Sequence, residues 1–182
     1  MTLKSLRAMP WIGEDPVLDL ANTVVREAGP GREDVDFFAE PELTEQWRAR
    51  AADRRMAALP LDVLARLRAP VRAALEAVAE QRVPPADVRA ELNRLAAAAP
   101  VRLRITEQGG LAEEETGGPA EAVAAREALV MVAGEQRQRV RRCSAPSCGM
   151  FFQARRRDQA WCSLGCGNRA RSTRRQPKPA RD

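Results

Sequence analysis

The chain has 182 residues, with 30 basic and 25 acidic side chains (formal charge +5), four Phe, three Trp, no Tyr and no His. The lack of histidine removes the commonest general base and a common metal ligand, so the chain is not expected to be an enzyme. No stretch approaches the roughly 20 apolar residues of a membrane-spanning helix, and scarce aromatics leave a core of Leu, Val and Ala, which favours helices packed on helices.

Residues 1–16 contain no apolar run of signal-peptide length, so the expected compartment is the reducing cytosol. Residues 11–27 read as a turn (Gly13, Pro16) followed by a short helix with Leu18, Ala21, Val24 and Val25 on one face. Gly29, Pro30 and Gly31 mark residues 28–36 as a loop. Pro41 opens a helix that is expected to run to about Met56, with Leu43, Trp47 and Arg50 on one side. From Leu61 to about Arg82 a stripe of Leu64, Leu67, Val71, Leu75 and Val78 recurs at helical spacing, with Pro70 either kinking one helix or starting a second. Asp87, Val88, Leu92 and Leu95 mark the next helix, stopped by Pro100.

The period then changes. Val101, Leu103 and Ile105 alternate with Arg102, Arg104 and Thr106, and Gly109-Gly110 supplies a turn, which predicts a two-residue hairpin placing Arg104 opposite Glu115. This is expected to be the only sheet of the body. Gly117-Gly118-Pro119 starts a long helix through about Val140, burying Ala122, Ala125, Leu129 and Val132.

Charge divides the chain at that point. Residues 1–136 hold 17 basic and 23 acidic side chains, whereas residues 137–182 hold 13 basic and 2 acidic. A mildly acidic body followed by an intensely basic tail is the distribution expected when the tail meets a polyanion.

All four cysteines lie in the tail, as Cys143, Cys148, Cys162 and Cys166 in the pattern C-x4-C-x13-C-x3-C. Two local pairs separated by a hairpin-length spacer can give one zinc ion four thiolates at tetrahedral corners. Four protein ligands leave no open position, so the ion is structural. A knuckle, a hairpin and a helix carrying the second pair make a treble-clef-like finger. The fold class is therefore mainly α with a small β-hairpin (α+β): a helical domain over residues 1–136, then a four-cysteine finger over residues 137–182. If the last helix starts at Cys162, Arg169 falls on the cysteine face, where it balances thiolate charge. Asn168, Arg171 and Arg175 project from the other side, with Arg174 beside them, as candidate DNA contacts. Arg155, Arg156 and Arg157 fall in the hairpin loop, where they can hold phosphates. Asn168 could instead bond backbone in its own helix or the adjoining turn.

The stretch WCSLGCGNRARSTRR, preceded by C-x4-C-G-x-F-F, resembles the CGNR zinc finger, whose motif is Cys166-Gly167-Asn168-Arg169. GEDPVLDLANTVV resembles the opening of the ABATE domain that precedes this finger in bacterial proteins regarded as stress-induced transcription regulators. The resemblance implies one Zn2+ at the four cysteines and DNA binding by the finger. Met150 departs from the large aromatic or aliphatic residue expected there, which touches local packing and not the metal ligands. Asp19 and Asn22 belong to the LDLANT segment, so they are candidates for lining a pocket for a small-molecule ligand. The competing reading has Asn22 fixing a neighbouring backbone by hydrogen bonds. Dimerisation through the body would let a small finger bind DNA more firmly. RNA or ribosome binding, and thiol-based redox sensing, are the alternatives. The expected location is the cytoplasm, at the nucleoid.

Overall fold

The computed structural model describes residues 9, 11–26 and 33–175. The turn expected at Gly29, Pro30 and Gly31 lies outside them, as does the tail beyond Arg175.

Asp15 starts the first helix, α1 (Pro16–Ala21): its Oδ1 accepts from the N–H groups of Val17 and Leu18 at 2.9 and 3.0 Å, and Pro16 follows at the first position. The helix does not continue through Val24 and Val25 as the sequence suggests. Those two form β1 (Val24–Val25), paired antiparallel with β2 (Val35–Asp36). The β-branched run Thr23-Val24-Val25 disfavours helix, and the Ala21 carbonyl at the helix end accepts from the Arg72 guanidinium instead. The body thus contains a second small sheet besides the expected hairpin.

A 3-10 turn (Phe37–Ala39) leads into α2 (Pro41–Arg50). The helix expected to reach Met56 stops at Arg50, and a separate single turn, α3 (Arg54–Ala57), follows behind the Asp53 cap. The break lets the Ala52 N–H turn inward to Asp19 Oδ2 at 2.8 Å. α4 (Leu61–Ala79) runs unbroken past Pro70 and buries the expected stripe from Leu64 to Val78. Its other face sends Arg68 to both Asp36 oxygens at 2.6 Å and to Thr23 Oγ1 at 3.0 Å, fastening β2 to the helix.

α5 (Ala86–Ala96) and α6 (Ala120–Ala133) pack on α4. Between them β3 (Val101–Ile105) pairs with β4 (Leu111–Glu115). The register differs from expectation: Arg104 faces Ala112, and Glu115 faces Val101. A turn closed by Gly109 N–H to the Thr106 carbonyl, with Thr106 N–H returning to Gly110, makes the loop longer than two residues and shifts the pairing. The long helix expected to reach Val140 ends at Ala133. A 3-10 segment (Glu135–Arg139) then feeds β5 (Val140–Arg142).

β5 pairs antiparallel with β6 (Phe151–Gln153), and α7 (Leu164–Arg175) is the last described element. Val140, Met150, Phe151 and Phe152 belong to the same buried cluster as Leu20, Trp47, Leu64 and Leu75. The strands carrying the first two cysteines are therefore built into the core of the body.

Candidate metal centre and nucleic-acid interface

The first cysteine pair sits at the tip of the β5–β6 hairpin. Cys143 N–H donates to the Met150 carbonyl at 2.8 Å, closing the ladder, and residues 144–149 form the turn. Ser147 and Gly149 both take left-handed backbone (φ +52 and +67), which bends the chain tightly enough to bring Cys148 back beside Cys143. After β6 the chain turns through Arg155–Arg157. The Gln159 side chain braces that turn, accepting from Arg155 N–H at 2.9 Å and donating to the Trp161 carbonyl at 3.1 Å.

The second pair does not ride on one helical face, as a start at Cys162 would require. α7 begins at Leu164, and Ser163 caps it: its Oγ accepts from Cys166 N–H at 3.2 Å and its carbonyl from Gly167 N–H at 3.1 Å. Cys162 lies just before the helix and Cys166 in its first turn. This placement aims the positive end of the helix dipole at the sulfurs, which favours thiolate.

The four sulfurs lie within 4.8 Å of one another. Three edges are 3.7 Å (Cys148–Cys162), 3.5 Å (Cys162–Cys166) and 3.7 Å (Cys148–Cys166). A tetrahedral ion with metal–sulfur bonds of about 2.3 Å requires sulfur–sulfur edges of about 3.8 Å. The cluster therefore fits a single thiolate-bound metal ion. These distances are far beyond a disulfide bond, and all four thiols are free. Three cysteines are buried and Cys162 is half-buried. Without a cation such a cluster cannot ionise evenly. Hydrogen bonding with Cys148 and then Cys162 pulls the Cys143 thiol far below its ordinary range, while Cys148 is pushed up to about 12, chiefly by its bond to Cys143. Cys162 is pushed up further for the same reason. A dication removes this conflict by binding four thiolates at once. Cys162 N–H at 3.5 Å from Cys143 Sγ and Arg169 Nη2 at 3.1 Å from Cys166 Sγ supply further positive charge.

Beyond the cysteine cluster, the exposed face of α7 carries Asn168 and Arg171, joined by a 2.6 Å bond from Arg171 Nη2 to Asn168 Oδ1. The Arg171 guanidinium also lies 5.6 Å from the centre of the Trp161 ring. Gly167 permits this arrangement, because a Cβ there would lie 3.2 Å from the Trp161 ring and 3.4 Å from Arg171. Arg155, Arg156 and Arg157 are exposed in the turn after β6. Arg174 and Arg175 lie in α7, and their side chains are outside the described residues.

Asp19 and Asn22 are buried and their polar atoms are bound to backbone. Asp19 accepts from Gly13 and Ala52 N–H at 2.9 and 2.8 Å, and burial pushes its carboxyl up to about 6. Asn22 donates to the Phe151 carbonyl and accepts from the Phe151 N–H, both at 2.9 Å, so the residue that caps the end of α1 completes the edge of a finger strand. Residue spacing gives no sign of this clip, since 129 positions separate its partners. A second tie is equally invisible in the sequence: Arg142 on β5 reaches Glu76 of α4 at 2.7 Å. The Asn168–Arg171 bond, by contrast, follows an i,i+3 spacing that can be read along the chain.

Two family models match the chain. ABATE, described as "Putative stress-induced transcription regulator", covers residues 14–135, and the CGNR zinc finger covers residues 139–178. No curated protein matches the chain significantly. Among the described residues, no helix is long and apolar enough to cross a membrane.

Proposed function

We propose that this chain, which belongs to the ABATE family and ends in a CGNR zinc finger, is a non-catalytic DNA-binding transcription regulator of the bacterial cytoplasm. One structural Zn2+ holds its finger. The observation that carries the reading is the four-sulfur cluster of tetrahedral size at the head of a basic helix. Cys143, Cys148, Cys162 and Cys166 would hold the ion, which when bound fixes the hairpin tip to the start of α7. Four thiolates and one Zn2+ sum to −2, and Arg169 offsets part of that charge.

The labour of DNA contact divides by geometry. Arg171 is held from one side by Trp161 and from another by Asn168. A guanidinium fixed in this way loses little rotamer freedom on binding, so it is the residue best suited to a base edge or a single phosphate. Asn168 orients it and presents its own amide beside it. Arg155, Arg156 and Arg157 have no carboxylate partner among the described residues and are suited to phosphate. Arg174 and Arg175, later in the same helix, add two further positive charges to it. The body, about residues 1–136, positions the finger, and a second copy paired through it would double the interface.

The test is fluorescence anisotropy of the zinc-loaded chain on random-sequence duplex, followed by selection of bound sequences from that pool. Saturable binding with a steep salt dependence and an enriched motif is expected. A preference for structured RNA over duplex, or binding unchanged after zinc is stripped by a chelator, would refute it.

A further inference from the structure

An open cleft of about 1370 Å³ lies between the body and the turn after β6. Its wall is formed by the end of α4, the start and middle of α5, the end of α6, the 3-10 segment before β5 and the turn at Arg155–Arg157. Eight arginines and one glutamate (Glu135) line it, a formal charge of +7, with no lysine and no aspartate. Glu80 neutralises Arg82 from outside the cleft. Arg137, Arg139, Arg155, Arg156 and Arg157 have no carboxylate partner among the described residues. The carboxyl ends of α4 and α6 contribute about −0.5 each, which leaves the field strongly positive. Convergence of unpaired guanidinium groups from two segments is self-repelling, and an anion with several charges relieves it.

Apolar side chains also line the same cleft. Val78, Leu92 and Val132 are buried there, Leu129 is half-buried, and Val83 is 67% exposed. Duplex DNA keeps its bases stacked inside and offers arginines outside its grooves only phosphate and sugar, so it has no use for such apolar lining. A small molecule with phosphates at one end and a flat apolar ring at the other uses both. The volume exceeds the roughly 300–1,000 Å³ of ordinary small-ligand pockets, so size does not exclude it.

The geometry points to this cleft as a binding site for a nucleoside polyphosphate, with the phosphates on Arg137, Arg139 and Arg155–Arg157 and the base against Val83 and Leu129. Arginine suits the phosphates because its fork pairs two oxygens at once. The site does not rest on the DNA-binding reading, although Arg155–Arg157 serve both.

Isothermal titration of the zinc-loaded full chain with ATP, sodium tripolyphosphate and adenosine, at fixed ionic strength and without DNA, tests the proposal. One ATP per chain is expected, bound at least about tenfold more tightly than tripolyphosphate, with adenosine weaker than either. Arg137→Gln with Arg139→Gln should weaken both phosphate ligands about tenfold or more while zinc content stays at one per chain. Val83→Asn, at an exposed position, should weaken ATP and leave tripolyphosphate unchanged. Equal affinity for ATP and tripolyphosphate, or no saturable ATP binding, would overturn it. So would a single-stranded oligonucleotide that binds the cleft arginines where ATP does not. Duplex binding measured on the same variants reports separately on the DNA reading.

Discussion

Replacing Asn22 by Asp keeps the side-chain shape and changes one group. Oδ1 still accepts from Phe151 N–H, but the Nδ2 donor that meets the Phe151 carbonyl at 2.9 Å becomes an oxygen. At neutral pH the buried carbonyl loses its donor, which costs about 1–3 kcal/mol. A carboxylate also stands in a site that is 2% exposed, where burial penalises the ionised form. Together these should lower stability at pH 7.5 by about 3 kcal/mol. The sign with pH follows from the raised carboxyl. Its contribution is fully present below the ordinary carboxylate range and is lost as pH rises through the folded value. Once protonated, the group donates to Phe151 again. Urea unfolding of zinc-loaded wild type and Asn22→Asp at pH 7.5 and 5.5 measures this, because titration of other groups such as Asp19 is common to both proteins. A gap of about 3 kcal/mol at the higher pH, shrinking by about 1–2 at the lower, is expected. Phe151 amide exchange should stay slower than that of exposed amides in both proteins, because Oδ1 still accepts from that N–H. A gap under about 0.5 kcal/mol, or one independent of pH, would mean the clip does not join body and finger.

Four further outcomes are expected. Asp19→Asn leaves one inward N–H facing an amide NH2, since both carboxyl oxygens accept backbone bonds. Because the Asp19 carboxyl is raised to about 6, its stabilisation is present at low pH and lost through pH 6. The stability gap between wild type and variant should therefore be about 1.4 kcal/mol wider at pH 5 than at pH 7.5 by urea titration. Cys162→Ser should reduce bound zinc from one per chain to less than a tenth of that by metal analysis, and should also lower the unfolding midpoint of the body, because Phe151 and Phe152 share its core. Arg171→Ala with Arg175→Ala should reduce the slope of log affinity against log salt by about 0.9 for each phosphate no longer neutralised, and an unchanged slope would exclude this face. Gly167→Ala places a Cβ 3.2 Å from the Trp161 ring; a changed Trp161 emission and weaker DNA binding at full zinc content are expected.

The α4 stripe, the hairpin at residues 101–115 and the four-cysteine cluster were legible because each is written in local spacing. Leu64 to Val78 repeat every three or four positions, Val101 to Ile105 alternate, and the cysteines come in two close pairs. Misreadings arose where two local rules competed. Val24 and Val25 fit a helical face but pair as a strand, because Arg72 and Arg68 of α4 satisfy the groups at the end of α1 and hold the partner strand at Asp36. The hairpin register followed the Thr106 turn and not the pair of glycines. The second cysteine pair straddles the helix start because Ser163, next to Cys162, makes the better cap.

The sequence alone determined the helical body, the four-cysteine cluster and the basic end of the chain, since charge, period and ligand spacing act over a few residues. Only the tertiary structure decided that Asn22 binds a strand 129 positions away, that the finger's hairpin shares the body's core, and that arginines from distant segments meet around one cleft. Those facts depend on which surfaces are buried against each other, and a buried hydrogen bond or a converging charge carries no mark in the chain until packing brings its partners together.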